Sequence, residues 1–344
     1  MRKICSIILC TMILVSCFFL CSCTSKKQGI TDTENLKIGV TVYNQYDTFI
    51  SELVDELAEY IDIMEEKYDI LITLEILNAS SNQLTQNDQM DYFIEQECDI
   101  VCVNLVDRTD ASTIIERGRS ADLPIIFFNR ELVEEDLQRW EKLYYVGADA
   151  FESGIIQGEI LIKKLESNFT DVDKNGDGIL QYVMLEGEAG HQDSIVRTMY
   201  VLNTVSEAGY QLEKLADEIA NWNRDQAKTK MAQWMDVFGE EIEVVFANND
   251  DMALGAIDAL KEDGYFGENI ILKAPVVLGI DGTKPALEAV ERDELLGTVL
   301  NDSSGQARGM LELAYSVVSG KKLDEAYTLL DGKYIRLPYR EISK

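Results

Sequence analysis

The chain has 344 residues, of which 46% are apolar, which is enough for two domains of ordinary size and excludes disorder as its main state. Its 31 Lys and Arg against 62 Asp and Glu give a formal charge of -31, which excludes binding to a nucleic-acid backbone or anionic lipid through a basic surface. Because His191 is the single histidine, sites built from paired imidazoles, such as HExxH zinc sites, are also excluded.

The first 23 residues have the features of a secretory signal. Arg2 and Lys3 precede an apolar run from about Cys5 to Leu20, and a polar tether over residues 24–35 follows. The ending Leu-Cys-Ser-Cys resembles a bacterial lipobox, which implies lipidation of Cys23 after cleavage. A retained membrane-spanning helix is the alternative, although serines, a threonine and cysteines interrupt the run. Either way, we expect the rest of the chain on the extracytoplasmic face of the bacterial membrane.

Short β-branched runs alternate with amphipathic segments along the remaining chain. Apolar strands that alternate with helices predict parallel sheets covered on both faces, and this number of units predicts two α/β domains. The predicted strands are 36–42, 70–77, 99–105, 124–129, 144–148, 180–185, 242–247, 275–280 and 297–300.

Polar side chains follow most of these strands. In open parallel sheets, ligands bind outside the carboxyl ends of the strands, so residues just after each strand are candidate contacts. Amides and carboxylates dominate these positions, and Phe49 and Trp222 add flat apolar faces, which together suit sugar hydroxyls and the C–H face of a pyranose. We interpret Asp107, Asn129 and Asp149 as helix caps or turn residues. The positions after the strands carry Tyr43, Asp47, Phe49, Asn104, Asp107, Asn129, Asp149, His191, Asp193, Arg197, Asn248, Asn249, Asp250, Asp281, Asn301 and Asp302.

From Leu36 to its C-terminus the chain resembles the galactose/glucose-binding proteins of bacterial ABC-type sugar uptake and chemotaxis, within the type I periplasmic sugar-binding superfamily. The resemblance rests on ordered stretches that include Ile38-Gly-Val-Thr-Val-Tyr43, Tyr144-Tyr-Val-Gly-Ala-Asp149, Gly187-Glu-Ala-Gly-His191-Gln-Asp193 and Gly297-Thr-Val-Leu-Asn-Asp302. It implies two doubly wound parallel-sheet lobes joined by three crossings, near Leu123, Asn301 and Ile335. The expected first lobe is 36–123 with 302–335, and the expected second lobe is 124–301 with 336–344.

Matched residue by residue, the resemblance also implies which side chains contact the ligand. These expected contacts are Tyr43, Asp47, Phe49, Asn104, His191, Asp193, Arg197, Trp222, Asn249, Asp281 and Asn301. Phe49 and Trp222 would sandwich a hexose ring, and the polar members would bond its hydroxyls and ring oxygen. Asn249 has an alternative role, because Asn commonly caps a helix that begins one residue later. Tyr46 stands where the family more often has an acidic residue, beside Asp47, which is expected to meet the C4 hydroxyl. We therefore predict galactose or glucose as the ligand without choosing between them.

Residues 173–181 have the spacing of an EF-hand calcium loop. Side-chain oxygens fall at positions 1, 3, 5 and 9, Gly178 lies at position 6, and position 7 offers a carbonyl. Met184 stands at position 12, where a bidentate Glu is expected, and the resemblance implies that Glu243 supplies this ligand. A register that starts at Asp171 and a metal-free turn are the alternatives. The predicted Ca²⁺ ligands are Asp173, Asn175, Asp177, the Ile179 carbonyl, Gln181 and Glu243.

The resemblance implies a monomeric, lipid-anchored binding protein that closes on a hexose and delivers it to an ABC sugar permease. A sensor that presents its closed form to a chemoreceptor or histidine kinase is an open alternative, because both partners read the same closed lobes. A glycoside hydrolase that uses two carboxylates such as Asp193 and Asp281 is a remote alternative. A transcription regulator is excluded by the secretion signal and by the absence of a basic segment before Leu36.

Overall fold

The computed structural model describes residues 35–266 and 273–344, whose strands form two six-stranded sheets. The predicted signal, Cys23 and the tether up to residue 34 lie outside the described residues. Over the two described ranges, every helix is too short or too polar to cross a bilayer.

The first lobe is built on an entirely parallel sheet. Numbered along the chain, its strands are β1 (Asn35–Val42), β2 (Leu71–Asn78), β3 (Ile100–Val103), β4 (Ile125–Phe128), β5 (Leu143–Ala148) and β11 (Tyr334–Leu337). They lie in the order β11-β5-β4-β3-β1-β2. Its helices are α1 (Thr48–Tyr68), α2 (Gln83–Glu95), α3 (Ser112–Ala121), α4 (Glu134–Leu137) and α10 (Ser303–Ser319).

The second lobe repeats this plan with one antiparallel edge strand. Its strands are β6 (Ile179–Glu186), β7 (Gln211–Ile219), β8 (Val244–Ala247), β9 (Val276–Leu278), β10 (Gly297–Leu300) and β12 (Arg340–Ser343). They lie in the order β12-β10-β9-β8-β6-β7, and only β12 runs antiparallel to its neighbour among these described strands. Its helices are α5 (Ala150–Asn168), α6 (Gln192–Glu207), α7 (Arg224–Phe238), α8 (Asp250–Glu262) and α9 (Lys284–Glu291), with 3-10 turns at Phe169–Asp171 and Gly239–Glu241.

Both sheets are buried on both faces, as the apolar strands predict. Successive residues Phe127 and Phe128 of β4 are fully buried and belong to apolar clusters on opposite faces of the first sheet. Val183 and Met184 of β6 divide in the same way between the two faces of the second sheet. Side chains of a strand alternate between faces, so a strand in such a position must be apolar throughout. The predicted fold of two parallel-sheet α/β lobes is confirmed.

The predicted boundary between the lobes at residue 123 is wrong. β4 pairs with β3 and β5 pairs with β4, so both strands extend the first sheet, and the first crossing follows Ala148. The third crossing also comes later than predicted, because all of β11 pairs with β5 and the chain enters the second sheet only at β12. The crossing near Asn301 lies where it was expected, between β10 and α10.

Strand β7 was not predicted, and β11 and β12 were also missed. β7 lies at the edge of the second sheet, half of its residues are exposed, and Glu213, Lys214, Asp217 and Glu218 interrupt its apolar pattern. Its register against β6 also shifts between Tyr182 and Val183. An edge strand that faces solvent needs no continuous apolar run, so its sequence resembles that of a loop.

The strand order positions one ligand site between the lobes. Each sheet reverses its order at a switch point, between β1 and β3 in the first lobe and between β6 and β8 in the second. Loops that leave the carboxyl ends of strands at a switch point diverge and open a crevice. Tyr43 and Asn104 follow the first pair of strands, and Gly187 and Asn248 follow the second pair.

We predict that Gly39→Ala destabilises the first lobe. A Cβ at Gly39 would lie 2.6 Å from the fully buried ring of Phe93, so strand and helix α2 would have to separate. Such overpacking lowers the free energy of unfolding by about 1–3 kcal/mol, which urea denaturation can measure. Gly309→Ala is the control, since its nearest atom lies 3.2 Å away at the edge of Tyr327. Equal effects of the two substitutions would contradict the packing argument.

Candidate functional site

A cleft between the lobes is lined by residues from the strand ends of both sheets. Its empty space is about 340 Å³, including the part that opens to solvent. Nine of the eleven predicted contacts line it, together with two residues that were not predicted. The lining residues are Tyr43, Asp47, Phe49, Asn129, Arg130, His191, Asp193, Arg197, Trp222, Asn249 and Asp281.

The first lobe contributes a loop that leads from β1 into α1. Asp47 caps α1, since its Oδ1 accepts a hydrogen bond from the Ile50 backbone N–H at 2.9 Å. Its Oδ2 accepts from the Tyr43 hydroxyl at 2.5 Å. Burial, followed by the negative charge of Asp47, raises the pKa of Tyr43, so its hydroxyl stays a donor. The cap therefore fixes the carboxylate at the cleft while Phe49, which is also buried, presents its ring beside it.

The second lobe contributes His191, Asp193 and Arg197 at the start of α6. The Asp193 backbone N–H donates to Nδ1 of His191 at 3.2 Å, so the imidazole caps the helix in the tautomer that carries its proton on Nε2. Arg197 Nη2 lies 3.5 Å from Asp193 Oδ2. The spacing of four residues places these two side chains on one helix face, as the sequence predicts.

His191 is neutral in this environment. Burial lowers its pKa well below the usual value, and the nearby cations Arg130, Arg197 and Arg108 lower it further. The imidazole therefore offers a neutral N–H donor at physiological pH rather than a charge.

Arg197 is a buried cation with several partners. Its Nη1 donates to the Asn248 carbonyl at 2.7 Å and lies 3.7 Å from Asp281 Oδ1, and its Nη2 donates to the Tyr339 hydroxyl at 3.2 Å. Nε of Arg197 is buried and has no hydrogen-bond partner among the described residues. Because Arg197 lines the cleft, this orphaned donor is a candidate partner for a ligand oxygen.

Asp281 is the most enclosed carboxylate of the cleft lining. Burial raises its pKa well above the usual range, Arg197 opposes this shift, and the adjacent buried Asp250 adds to it. Asp250 is held by Thr283 and Thr298, whose hydroxyls lie 3.2 and 2.6 Å from its oxygens. A hydroxyl donor from a ligand would stabilise the charged form of Asp281.

The indole ring of Trp222 packs directly against the backbone of Gly187. A Cβ at Gly187 would lie 2.1 Å from the indole, so only glycine fits there. The indole edge meets the His191 ring with centroids 5.1 Å apart, and its buried Nε1 has no partner within the described chain. Asn249 caps α8 through Met252 N, which is one of its two predicted roles, and it also donates to the Trp222 carbonyl at 3.4 Å while lining the cleft.

Three lining residues have a positive φ, a backbone conformation that residues other than glycine rarely adopt. φ is 58° at Asn129, 60° at Trp222 and 129° at Asp281. Such conformations cost about 1–3 kcal/mol each and persist where the surrounding structure imposes them, commonly at functional sites. Their concentration around one cleft supports its assignment as the site.

Asn104 and Asn301 do not line the cleft. Asn104 is fully buried; its Oδ1 accepts from Tyr43 N at 3.3 Å and its Nδ2 donates to Asn129 Oδ1 at 3.2 Å. Asn301 accepts from Gln306 Nε2 at 2.7 Å beside the second crossing. Asn104 thus bonds two lining residues, and the Asn301 backbone N–H donates to the carbonyl of a third, Asp281, at 2.9 Å.

Sequence reasoning missed Asn129 and Arg130 as lining residues. Asn129 was interpreted as a turn residue, and it does adopt a left-handed conformation. Both follow β4 at its carboxyl end, so the rule that located the other contacts could have found them. The interpretation of Asn129 as a turn residue, rather than its place in the chain, excluded it from the expected contacts.

The predicted calcium loop and Glu243 converge in the second lobe. Glu243 accepts hydrogen bonds from the backbone N–H groups of Lys174, Asn175 and Gln181, and Asp173 accepts from those of Gly176 and Gly178. The remaining predicted side chains are linked through Gln181, which contacts Asn175 at 3.0 Å and Asp177 at 3.0 Å.

Asp171, the start of the alternative register, instead pairs with Lys164 at 2.5 Å and Lys273 at 3.1 Å. Among the described residues no three His, Cys, Asp or Glu side chains form a metal-holding cluster by themselves. A cation at residues 173–181 therefore needs the amide and carbonyl oxygens as well.

The fold and this cleft define a two-lobed solute-binding protein, in which the strand ends of both lobes enclose one small ligand. The chain belongs to the periplasmic binding protein family, because a family model described as periplasmic binding protein domain matches residues 38–322. This membership confirms the type I periplasmic binding protein fold and implies a location outside the cytoplasm.

The chain is similar to several characterised proteins. It is 36% identical over 310 residues to the D-galactose/methyl-galactoside binding periplasmic protein MglB of Haemophilus influenzae, covering 90% of this chain and 89% of the relative. It is 30% identical over 275 residues to a putative rhizopine-binding protein of Rhizobium meliloti, covering 79% and 80%. An ABC transporter solute binding protein of Bacillus halodurans with bound myo-inositol superimposes with a TM-score of 0.72 at 28% identity, covering 89% and 94%. These relatives are binding proteins, so the prediction that the chain is not an enzyme is confirmed.

We predict that His191 stays unprotonated through the usual histidine range. Because it is the single histidine, one imidazole signal can be followed by ¹H–¹⁵N NMR from pH 8 to 5. Its folded pKa is depressed, whereas the unfolded chain binds a proton near pH 6.5. Stability is therefore highest above about pH 6.5 with respect to this group and falls as the pH decreases below that value. A titration midpoint at or above pH 6.5 in the folded protein would contradict the burial argument.

Proposed function

We propose that the chain binds D-galactose or D-glucose between its two lobes and delivers the sugar to an ABC-type permease. The observation that carries the proposal is a single cleft in which two aromatic residues, Phe49 and Trp222, lie among carboxylates, an arginine and a histidine from both lobes. A pyranose ring has a surface that complements this lining, with hydroxyls around its rim and C–H groups on its faces.

Hydrogen-bond capacity in the cleft favours a polyhydroxylated ligand. Asp47, Asp193 and Asp281 are acceptors, while Arg197 Nε and Trp222 Nε1 are buried donors that lack a partner within the described residues. Each ring hydroxyl donates and accepts, so one sugar can satisfy both kinds of group. Hydrogen bonds to charged groups contribute about 1.5–3 kcal/mol each, and a ligand that lacks a hydroxyl would leave such a group unpaired.

The choice of hexose rests on the relatives. The relative with 36% identity is named for D-galactose and methyl-galactoside, whereas others are named for rhizopine, xylitol and ribose. The cleft retains the carboxylate expected at the C4 hydroxyl, Asp47, which is fixed by its cap and by Tyr43. Tyr46 beside it is 81% exposed at the rim, so its departure from the family pattern leaves Asp47 in place.

The cleft is lined from both lobes, so a bound ligand that contacts both lobes favours their closure. Asp47 and Phe49 belong to the first lobe, and Asp193, Arg197 and Trp222 belong to the second. A ligand that touches both sets binds the closed state better than the open one and shifts the population toward it. A permease that recognises the closed arrangement would then receive loaded protein selectively.

We also propose that Cys23 anchors the protein by lipid on the extracytoplasmic face of the membrane. The sequence Leu20-Cys-Ser-Cys23 before a polar tether supports this proposal. Labelled-palmitate incorporation that is lost in Cys23→Ala would support it, and release of an unlipidated mature chain into the medium would contradict it.

We predict that galactose and glucose bind and that binding depends on Trp222 and Asp193. Calorimetric titration of the chain without residues 1–23 should give a signal with these hexoses that exceeds the signal with ribose, xylose or myo-inositol. Trp222→Ala and Asp193→Asn should each weaken hexose binding about 10- to 100-fold, since each removes a contact or a charged partner.

Trp140→Ala is the matched control, because Trp140 lies in the first lobe outside the cleft lining. It should leave the affinity unchanged. Tight pentose binding without a hexose signal would overturn the proposed ligand, and equal losses in Trp140→Ala and Trp222→Ala would overturn the proposed site.

We propose that residues 173–181 with Glu243 bind a structural Ca²⁺. Asp173 and Glu243 are 5% and 1% exposed, and burial together with the charge of Asp173 raises the pKa of Glu243. The groups that donate hydrogen bonds to the Asp173 and Glu243 carboxylates are backbone N–H groups, which do not neutralise the two negative charges. A divalent cation bound by these oxygens would offset the repulsion between the Asp173 and Glu243 carboxylates. Because Glu243 immediately precedes β8, which pairs with β6, the cation would also hold these two strands together.

We predict that chelation lowers the melting temperature of the wild-type chain by at least about 5 °C, because a ligand that binds only the folded state stabilises it. Glu243→Gln should remove this sensitivity to chelator. Asp171→Asn is the control and should retain it, since Asp171 pairs with lysines outside the loop. An unchanged melting temperature of the wild type after chelation would contradict the calcium proposal.

A further inference from the structure

Two arginines of the first lobe reach across the cleft to the second lobe, one to the loop between β6 and α6 and the other to the first residue of α6. Arg130 forms a forked ion pair with Glu188, with nitrogen–oxygen distances of 3.0 and 3.1 Å. Arg108 Nη2 donates to Gln192 Oε1 at 2.5 Å, and its Nε donates to the Glu131 carbonyl at 2.7 Å. We call these four side chains, Arg108, Arg130, Glu188 and Gln192, the arginine clasp.

Arg130 connects the clasp to the first lobe's half of the site. Its guanidinium lies over the ring of Tyr43, with 3.4 Å between the guanidinium carbon and the ring centroid. Its Nη1 also donates to the Val106 carbonyl at 3.1 Å. Tyr43 in turn donates to Asp47. Arg130 therefore packs on Tyr43, a residue of the cleft, and is bonded to its own lobe at Val106. It also binds the opposite lobe through Glu188.

Glu188 connects the clasp to the second lobe's half of the site. It lies on the loop between β6 and α6, one residue after Gly187, which packs against Trp222, and three before His191. Glu188 itself is absent from the cleft lining, and its side chain is 32% exposed, whereas that of Arg130 is 4% exposed. The Glu188 carboxylate therefore lies at the rim, where it links the two lobes through Arg130 without lining the cleft.

The other side of the cleft has a weaker connection. The Thr48 hydroxyl donates to Asp251 at 2.7 Å, and the Lys284 backbone N–H lies 3.4 Å from Glu52. Neither contact joins two full charges of opposite sign. A forked guanidinium–carboxylate pair is stronger and more directional than such neutral-donor contacts.

We propose that Arg130 is a positioning residue, which holds Tyr43 in the cleft and, through Glu188, holds the two lobes in the closed arrangement. The inference rests on the proposed function for its ligand, but closure itself can be measured without any ligand. Opening the lobes separates Arg130 from Glu188 while Arg130 keeps its contacts with Tyr43 and Val106. The ion pair therefore contributes to the closed state alone, and losing it should raise the open population and speed ligand release.

The test uses Glu188→Gln, which removes the charge at the rim and leaves every cleft-lining residue in place. Its matched control is Asp258→Asn, which removes the carboxylate from an Arg224 ion pair of 2.7 Å within the second lobe. Small-angle X-ray scattering measures the radius of gyration without ligand, and stopped-flow tryptophan fluorescence measures galactose association and dissociation.

Glu188→Gln should increase the radius of gyration of the ligand-free protein and should raise the galactose dissociation rate about three- to tenfold, with the association rate changed less. Added NaCl should expand the wild type toward the Glu188→Gln value and leave Glu188→Gln unchanged, because salt screens a partly exposed pair. Arg130→Gln should show the same expansion and a larger loss of affinity, since it also removes the cation on Tyr43. Asp258→Asn should match the wild type throughout.

The proposal is overturned if Glu188→Gln and Asp258→Asn give the same radius of gyration and the same salt response as the wild type. A wild type that binds none of the sugars would instead refute the proposed ligand, and the scattering comparison would still decide whether the clasp holds the lobes closed.

Discussion

The buried guanidinium of Arg197 is the interaction on which the site depends. A cation that is 3% exposed must keep its partners, because removal of one partner from a buried pair costs about 3–5 kcal/mol. Its partners are Asp193 on its own helix, Asp281 after β9, the Asn248 carbonyl after β8 and the Tyr339 hydroxyl at the third crossing between lobes. One side chain thus joins helix α6 to two strand ends of the second lobe and connects the hinge to them.

This arrangement gives the acidic composition a role in the cleft. Burial raises the pKa of both Asp281 and Asp250; at Asp281, Arg197 opposes this shift and the charge of Asp250 adds to it. Asp47 is held by a helix cap and a tyrosine in the opposite lobe. The cleft therefore holds fixed acceptors that need hydroxyl donors, and it carries too few free cations to favour an anionic ligand. Neutral polyhydroxylated ligands fit this balance.

The fold class and most of the site could be predicted because both depend on local rules. Buried parallel strands such as β3 and β4 must be apolar throughout, and residues that follow the carboxyl ends of the strands are expected at the cleft, which located Asp47, His191 and Asp281. The division between lobes could not be predicted in this way. β4 and β6 have the same apolar character, and nothing in either sequence states which sheet the strand joins. Nor does any local pattern pair Arg130 with Glu188, which lies 58 residues away in the other lobe.

The central claim is that one hexose is held by side chains of both lobes at the strand ends. A crystal structure of the chain with galactose tests it most directly. The account predicts a pyranose between Phe49 and Trp222, with hydroxyls within hydrogen-bond distance of Asp47, Asp193 and Asp281 and an oxygen near Arg197 Nε. A sugar bound to one lobe only, or outside the cleft, would contradict it.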